Sequence, residues 1–466
     1  MRSILILIYL IIVLGVIFIE RKNPTEAILW VVVLLCLPYA GLLLYLAFGS
    51  TIGIKLTAKL RTRRLNNRLK EQLKPSYSMP MLPLSSEDYA VMNFNRIYNH
   101  SVLTFYDDAK IFISGKSHYT RLFKDIEEAK ESIHVEFYTI HKDVVGEHFV
   151  RLLARKAKEG VKVIVMCDYI ANLGTPKSMF QDLVNAGGQV KRLKPYLTHF
   201  RSHRKVVVID SNISYIGGMN IGKQYAGLHK KKTPWRDTQI RLTGPCAKVL
   251  ESCFLSDWFC AVKKKELPDA EILAETIIHK KYTKGTFPCQ FVMGGVDTEK
   301  ESVKMCYMSM IRSAKKTIRI QSPYFIPDES VLDALRTAAA SGIQIELMVP
   351  GVKASFFLDP VTTHYCGELL KYGAKVYKYN GYIHAKTMVI DKELCCIGSV
   401  NMDMRSLMID DEICGVFYDN ALVWKYNEIF QKDISHCEEY TLNEFQIRGR
   451  FEKLKEDFFL LFAPLM

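Results

Sequence analysis

The sequence carries one pattern of chemically reactive residues twice. In "RSHRKVVVID" the residues His203, Lys205 and Asp210 fill the frame His-x-Lys-x-x-x-x-Asp, and "YIHAKTMVID" repeats this frame 181 residues later. A histidine beside a fixed positive charge can attack an anionic group or carry a proton to it. Because the repeat keeps its spacing, the sequence predicts two copies of one structural unit.

The second copy consists of His384, Lys386 and Asp391, and each copy is followed by a glycine step that ends at an asparagine, Asn220 or Asn401. The apolar runs inside the motifs, "VVVI" and "TMVI", are bounded by turn formers and predict buried strands. Side chains alternate along a strand, so each histidine shares a face with its lysine, and each aspartate lies on the other face at the far end. This placement favours a structural role for the aspartates.

The segments that precede the two motifs also correspond. Each half reads as apolar strands alternating with helical stretches, for example "GVKVIVMCDY" in the first half and "GIQIELMVPG" in the second. This alternation predicts the α/β class, with a parallel or mixed sheet in each unit. We place the first α/β/α domain at 96–265 and the second, with a C-terminal helix, at 266–466. A pseudo-dimer of the two would bring equivalent histidine-bearing strand ends to one interface.

The first 50 residues contain two uncharged apolar runs, about 3–19 and 27–48, which are 17 and 22 residues long and joined by seven residues. A helix needs about 20 apolar residues to cross a bilayer, so residues 1–50 predict a transmembrane hairpin. The alternative for the first run is a secretory signal peptide. It is disfavoured because an Ala-x-Ala cleavage site is missing and a second apolar run follows at once.

Residues 51–95 form a predicted basic juxtamembrane linker. Between positions 55 and 74 eight lysines and arginines oppose one acid, Glu71, whereas the loop between the two apolar runs holds only Arg21 and Lys22. The positive-inside rule therefore predicts that the linker and both α/β units are cytoplasmic. The net charge of +14 favours an anionic partner, either a lipid surface or a nucleic acid.

The twelve cysteines are scattered, without C-x-x-C pairs or the spacing of zinc ligands. Cys246, Cys253 and Cys260 recur at every seventh position, as on a helix face, while Cys395 and Cys396 read as strand residues. We interpret the cysteines as reduced, buried thiols in a cytosolic setting. The sequence predicts neither a metal site nor another cofactor.

The paired motifs resemble those of the phospholipase D superfamily, whose members combine two His-Lys-Asp motifs in one active site. The resemblance implies that both complete motifs, including Asp210 and Asp391, belong to the catalytic set. One histidine would attack the phosphorus of a phosphodiester and the other would serve as acid and then as base. In this superfamily the first-motif histidine, here His203, is the usual nucleophile. The phosphoryl oxygens would be held by the motif lysines and asparagines, Lys205, Lys386, Asn220 and Asn401.

Other carboxylates must orient the imidazoles if the motif aspartates face away from them. Glu412 stands 11 residues after Asn401, and the resembling superfamily has an orienting acid near this position. In the first half "WRDT" offers Asp237. The alternative is that both acids are ordinary surface carboxylates.

Within the superfamily the chain is most similar to the bacterial cardiolipin synthases, over nearly its whole length. The similarity extends to "ERKNP", "THFRSHRK", "PWRDTQIRLTGP", "QSPYFIPDE", "NMDMRSL" and the terminal "LLFAPLM". It implies a multi-pass enzyme of the bacterial cell membrane, working at an anionic membrane surface. Its substrate would be phosphatidylglycerol: a phosphatidyl group passes from one molecule to another, and glycerol is released.

Three other functions are weighed against this one. A membrane-bound phospholipase that makes phosphatidic acid needs the same residues. A nuclease accounts for the charge but not for the hairpin, so we predict no nucleic-acid partner. A noncatalytic scaffold would tolerate loss of the motif residues, and all are present. The oligomeric state and the range of acceptor lipids do not follow from the sequence.

Two further regions allow more than one interpretation. The strand-end positions Glu136, Tyr138, Tyr324 and Phe325 either select the head group or belong to the core. The C-terminal "EKLKEDFFLLFAPLM" is either an interfacial lid or a helix packed on the second domain.

Overall fold

The computed structural model describes residues 9–11, 13–15, 24–45, 82, 84–193, 201–228, 234–262, 285–295, 301–353, 355–463 and 466. Most of the predicted span 3–19 and the basic stretch 55–74 lie outside these residues. Part of the second apolar run is described and forms two helices, Pro24–Cys36 and Pro38–Leu44. No helix within the described ranges is both long and apolar enough to cross a membrane.

The strands of the described residues are numbered in chain order. They are β1 Leu103–Tyr106, β2 Asp108–Phe112, β3 Ser132–Phe137, β4 Lys162–Asp168, β5 Gln189–Leu193, β6 Lys205–Ile209, β7 Ile213–Gly217, β8 Trp235–Arg236, β9 Gln239–Thr243, β10 Phe287–Gly294, β11 Thr317–Gln321, β12 Phe325–Ile326, β13 Gln344–Pro350, β14 Lys375–Tyr379, β15 Tyr382–Ile383, β16 Thr387–Ile390, β17 Leu394–Gly398, β18 Met402–Asp403, β19 Glu412–Phe417 and β20 Cys437–Tyr440.

The helices, numbered in the same way, begin with the two N-terminal ones. They are α1 Pro24–Cys36, α2 Pro38–Leu44, α3 Ser86–Ile97, α4 Gly115–Glu128, α5 Val144–Lys158, α6 Gln181–Asn185, α7 Cys246–Ala261, α8 Ser302–Ser313, α9 Glu329–Ala340, α10 Leu358–Leu370, α11 Met404–Met408, α12 Asn420–Ile434, α13 Leu442–Gln446 and α14 Arg450–Leu460. A short 3₁₀ turn, Lys177–Phe180, precedes α6.

Two mixed sheets repeat one topology. The first has the order β2-β9-β7-β6-β3-β4-β5, and the second contains the corresponding run β10-β19-β17-β16-β11-β13-β14 with β1 and β20 added at its edges. In each sheet three strands are parallel, β3-β4-β5 and β11-β13-β14, and their crossovers carry helices such as α5 and α9. The predicted α/β class with two repeated units is confirmed.

The two sheets face each other across a shared apolar core. Val206 and Ile216 from the first sheet join Val389 and Ile397 from the second in one buried cluster, to which α7 and α12 also contribute. The strands β6 and β16 are fully buried along their length, because each has the partner sheet on one face and its own unit's helices on the other. The motif strands therefore lie at the centre of the molecule.

The segment before the first sheet belongs structurally to the second unit. Val91 and Met92 of α3 lie in the core cluster of the second sheet, and β1 pairs with β10. The sequence boundary at residue 96 therefore falls inside a segment that packs on the second unit, and the first sheet begins only at β2. Nothing in the local pattern reveals this, because the partner strand lies about 180 residues further along the chain.

The described cysteines agree with the interpretation as buried thiols. Among those whose side chains are described, all except Cys36 and Cys437 are buried, and none forms a disulfide. Cys246 and Cys253 lie on α7. The C-terminal helix α14 packs on α10 of the second unit and buries Phe459.

Candidate active site

Each motif histidine lies directly before its strand and pairs with the main chain of the opposite unit. The His203 N–H donates to Asp411 O at 2.9 Å, and the His384 N–H donates to Arg236 O at 2.6 Å. The neighbouring residues form short parallel bridges, Ser202 with Asp411 and β15 with β8. The two histidines are thus placed by equivalent contacts that cross between the units.

The orienting carboxylates are exchanged between the units in the same way. His203 Nδ1 lies 2.7 Å from Oε1 of Glu412, and His384 Nδ1 lies 2.7 Å from Oδ2 of Asp237. Both acid side chains have no exposed surface, so neither is the surface carboxylate of the alternative interpretation. Each imidazole is therefore held by an acid from the other half of the chain, a crossing that the sequence does not reveal.

The second oxygen of each carboxylate has a different kind of partner. Asp237 Oδ1 accepts the N–H of Thr238 at 2.7 Å, whereas Glu412 Oε2 accepts the hydroxyl of Ser399. A Cβ at Gly218, the counterpart of Ser399, would lie only 2.1 Å from Asp237 Oδ1. The first motif therefore requires glycine where the second has a serine that supports its acid.

The motif lysines lie beside both histidines. Lys205 Nζ donates to the His203 carbonyl and Lys386 Nζ to the His384 carbonyl, each at 2.5 Å. Burial lowers the pKa of Lys205 to about 7 and that of Lys386 to about 8. Bringing a phosphate anion between the lysines would favour their charged forms. The pair thus forms a buried cationic centre suited to a phosphoryl group.

Both histidines are neutral at pH 7. Burial, followed by the two lysine charges, lowers the pKa of His203 well below its usual value. Burial and Lys386 lower the pKa of His384 to about 3, although Asp237 opposes this shift. A neutral imidazole that donates its Nδ1 hydrogen to a carboxylate has a free electron pair on Nε2. Each ring can therefore attack an electrophile or accept a proton.

The two carboxylates differ in how readily they ionise. Burial raises the pKa of Glu412 to about 7, despite the opposing charge of Lys205. Burial also acts against ionisation of Asp237, but the interaction and hydrogen bond with His384 and the charge of Lys386 outweigh it, and the pKa of Asp237 is lowered. His384 thus has the more firmly ionised partner.

The predicted phosphate-binding asparagines are not equivalent. Asn220 accepts the N–H of Thr139 at 3.2 Å and donates to the Tyr225 hydroxyl at 2.8 Å, so both ends of its amide are engaged. The Oδ1 of Asn401 is buried without a hydrogen-bond partner among the described residues. Contact of both asparagines with the phosphate remains a prediction. It is less well supported for Asn220, because its amide already has partners at both ends.

Asp210 and Asp391, which the predicted catalytic set includes, bind main-chain groups away from the histidines. Asp210 accepts main-chain N–H groups of residues 130, 131 and 132, and Asp391 accepts those of residues 315, 316 and 317. Each lies at the far end of its strand from the histidine, with φ of +52°. The carboxylates fix the start of the adjacent strands β3 and β11, because they satisfy three donors at once. They do not contact the histidines.

The candidates for head-group selection divide into core and site residues. Glu136 and Phe325 are completely buried and belong to the core. The ring of Tyr138 lies 4.9 Å from that of His203 in an edge contact. The hydroxyl of Tyr324 lies 3.1 Å from that of Tyr382.

The surroundings of the two histidines differ, and the sequence analysis missed most of these neighbours. Three aromatic rings surround His384, with centroids 5.3 to 6.0 Å away: Tyr225, Trp235 and Tyr382. Near His203, burial and the two lysines are the main causes of the lowered pKa of this histidine, and the charge of Arg405 adds to them. The only sequence signal for such neighbours was their position close to the motifs, in "THFRSHRK", "PWRDT" and "NMDMRSL". Within the described ranges, no group of three or more potential metal ligands was found.

Comparisons with known proteins agree with this arrangement. Residues 122–232 and 307–434 match the family "cardiolipin synthase, PLD-like domain", and residues 4–50 match the family "phospholipase D-nuclease N-terminal". The first match includes both motifs and the orienting acid Glu412, whereas Asp237 lies just beyond its first segment.

Similar proteins extend the match to the full length. A cardiolipin synthase of Listeria welshimeri is 33% identical, with 97% of this chain and 95% of that protein covered. The major cardiolipin synthase of Bacillus subtilis is 34% identical, with 100% and 98% covered. The phosphatidylserine synthase of Haemophilus influenzae shares the fold, with a TM-score of 0.62, 16% identity and coverage of 81% of this chain and 97% of that one. The chain therefore belongs to the cardiolipin synthase family of the phospholipase D superfamily.

Proposed function

We propose that the protein is a phosphatidyltransferase that makes cardiolipin from two molecules of phosphatidylglycerol and releases glycerol. The observation that carries the proposal is the buried cluster of two crossed histidine–carboxylate pairs and two lysines, in a chain that belongs to this family over its full length. The cluster supplies two nitrogen bases and two cations around one position for a phosphoryl group.

In the first half of the reaction, Nε2 of His203 attacks the phosphorus of the donor lipid. The bond from phosphorus to the glycerol oxygen breaks, and protonated His384 gives its proton to that oxygen. Lys205 and Lys386 balance the negative charge of the phosphoryl oxygens. Since the free site holds His384 neutral, the anionic substrate must favour its protonated form, as an opposite charge does. The products are a phosphatidyl-histidine and free glycerol.

In the second half, a hydroxyl of another phosphatidylglycerol takes the place of glycerol. His384 accepts its proton, the oxygen attacks the phosphorus, and the bond from phosphorus to His203 breaks. We assign the proton-carrying role to His384 because its partner Asp237 is the acid whose pKa is lowered. An ionised partner stabilises the imidazolium that forms in this step.

Water competes with the lipid hydroxyl, so synthesis rather than hydrolysis requires a site that positions the acceptor and limits water. The side chains of both histidines are only 13% exposed, and aromatic rings cover His384 on several sides. These features favour transfer over the alternative phospholipase reaction.

We further propose that the enzyme works at the bacterial cell membrane. Residues 1–50 would form the transmembrane hairpin, and the basic residues of the linker would contact anionic head groups from the cytoplasmic side. Support comes from the apolar runs and charges of the sequence and from the family match over residues 4–50.

The test supplies phosphatidylglycerol as the only lipid to the purified full-length protein in vesicles. We expect cardiolipin and glycerol to form in equal amounts, and substitution of either His203 or His384 by alanine to abolish turnover, so that His384→Ala releases at most the one glycerol per enzyme that accompanies formation of the adduct. Phosphatidic acid as the main product of the unmodified protein would identify a phospholipase instead. Mass spectrometry of the lipid extract separates the two outcomes.

A further inference from the structure

The helix α14 exposes a row of large apolar side chains, here called the C-terminal apolar stripe. It consists of Phe451, Leu454, Phe458 and Leu461, which are 87%, 65%, 57% and 75% exposed. Their spacing of three and four residues places them along one face of the helix. Phe356 and Phe357, in the turn before α10, lie beside this helix and are 66% and 58% exposed. An exposed apolar surface of this kind marks an interaction site.

Other side chains of α14 fix the helix in place. The Phe459 ring packs edge-on against Phe356 and Phe357, with centroids 5.5 and 5.3 Å apart. Glu456 is buried and pairs with Arg448 at 2.7 Å. Because these contacts set the rotation of the helix, the stripe cannot turn inward to bury itself.

The charges around the stripe suit an anionic lipid surface. Lys455 Nζ lies 3.9 Å from the centre of the Phe356 ring, and Arg450 and Lys453 are exposed on the same helix. Two exposed acids, Glu452 and Asp457, partly offset these three cations. Long basic side chains beside exposed aromatic rings are typical of helices that lie in a membrane interface, since their charged ends reach back to the head groups.

The segment that carries the stripe also packs on elements next to the active site. Phe459 packs in a cluster with Ile326 of β12, and β12 pairs with β18, which directly follows the motif residue Asn401. The N–H of Arg405 donates to the carbonyl of the final residue, Met466, at 3.1 Å. Arg405 is the residue whose charge reaches His203.

We propose that the C-terminal apolar stripe, together with Phe356 and Phe357, inserts into the surface of an anionic bilayer and holds the nearby active site close to the lipid head groups. The proposal deepens the proposed function, since it assumes a phospholipid substrate. A second copy of the chain is a poorer occupant. Since the cations beside the stripe outnumber the exposed acids, two copies would bring like net charges together, whereas an anionic bilayer pairs with them.

The first experiment measures depth in the membrane. The full-length Phe458→Trp variant is placed in phosphatidylglycerol vesicles whose acyl chains are brominated, and its fluorescence is compared with that of the unmodified protein to subtract the native tryptophans. We expect the added signal to be quenched by at least half. A matched variant, Val184→Trp, places the probe on α6 of the first unit, just before the start of β5 and away from the strand ends that carry the active site. That side chain is 48% exposed, and its added signal should not be quenched. Equal added fluorescence of the Phe458→Trp variant with and without bromine would overturn the proposal.

The second experiment separates membrane contact from catalysis. The triple variant Phe451→Ser, Leu454→Ser, Phe458→Ser is assayed on vesicles and on a short-chain, monomeric phosphatidylglycerol. We expect about a tenfold loss on vesicles and less than a twofold change on the monomeric lipid. Equal losses on both would contradict the proposal, as would light scattering that shows the triple variant breaking up a dimer. If the unmodified protein yields phosphatidic acid, the proposed function fails, while the quenching result still reports on the stripe.

Discussion

The two orienting acids give a sharp prediction, because their second oxygens have partners of different kinds. In Asp237→Asn the amide must keep its oxygen toward the N–H of Thr238, which can only donate. Its NH₂ group then faces Nδ1 of His384 and must donate to it. This forces the hydrogen of the ring onto Nε2, so His384 has no electron pair with which to accept the proton of the acceptor hydroxyl.

The matching change Glu412→Gln does not carry this penalty. Glu412 Oε2 meets the hydroxyl of Ser399, which can donate or accept. The hydroxyl can turn toward the Ile413 carbonyl, 3.2 Å away, and accept from the glutamine NH₂. The glutamine oxygen then remains toward His203 Nδ1, and the nucleophilic pair on Nε2 is retained.

The expected magnitudes differ by orders of magnitude. When the same Asp-to-Asn change forces the wrong tautomer in a serine protease triad, kcat falls about 10⁴-fold, and we expect a loss of about 10³-fold or more for Asp237→Asn. Glu412→Gln replaces a charge-assisted hydrogen bond of 2.7 Å with a neutral one. This costs about 1 to 2 kcal/mol, or roughly 5- to 30-fold.

The assay is the initial rate of cardiolipin formation from phosphatidylglycerol vesicles, with thermal unfolding as the control for folding. Asp237→Asn activity within tenfold of the unmodified enzyme would refute the tautomer argument. So would a Glu412→Gln enzyme that is as inactive as Asp237→Asn, since the two changes would then act through loss of charge alone.

Three further outcomes follow from the site. The His384→Ala variant should retain an acid-labile lipid adduct, whereas the His203→Ala variant should form none. Mass spectrometry of the protein before and after acid treatment tests this, and the reverse pattern would exchange the roles of the two histidines. Lysine is charged only below its pKa, which is about 7 for Lys205, so kcat/KM should fall as the pH rises from about 7 to 9. The Lys205→Arg variant should show a smaller fall over this range. The same pH profile in both enzymes would contradict the role of the Lys205 charge. Asp210→Asn should lower the free energy of unfolding by about 1 to 3 kcal/mol, because the charge of Asp210 stabilises three main-chain donors. The activity per folded molecule should stay within twofold of that of the unmodified enzyme. Denaturant titration tests the first expectation and the rate assay tests the second.

Much of the site could be predicted because local sequence determines it. The repeated spacing fixed His203 and His384 at the starts of buried strands, and alternation along the strand separated them from Asp210 and Asp391. The candidates Asp237 and Glu412 could also be named. Their exchange between the units could not, because it depends on how two folded sheets dock rather than on any local pattern.

Other features were hidden for a similar reason. Local alternation does not show that β1 pairs with β10, since the choice of partner strand is made by tertiary packing. The engaged amide of Asn220 depends on Tyr225, whose ring reaches it only in the folded loop. A sequence does not distinguish a polar side chain that is hydrogen-bonded within the protein from one that is available to bind a substrate.

The exchange of carboxylates also bears on the ancestry of the chain. A single unit with this geometry would contain a histidine without an acid and an acid without a histidine, so it would have no complete catalytic pair. In a dimer of two identical copies, the acid of each copy, equivalent to Glu412 or Asp237, would bind the histidine of the other, and both pairs would be complete. Association of two subunits would then have preceded the gene duplication that fused them, and afterwards each half was free to acquire its own neighbours, such as the aromatic rings around His384.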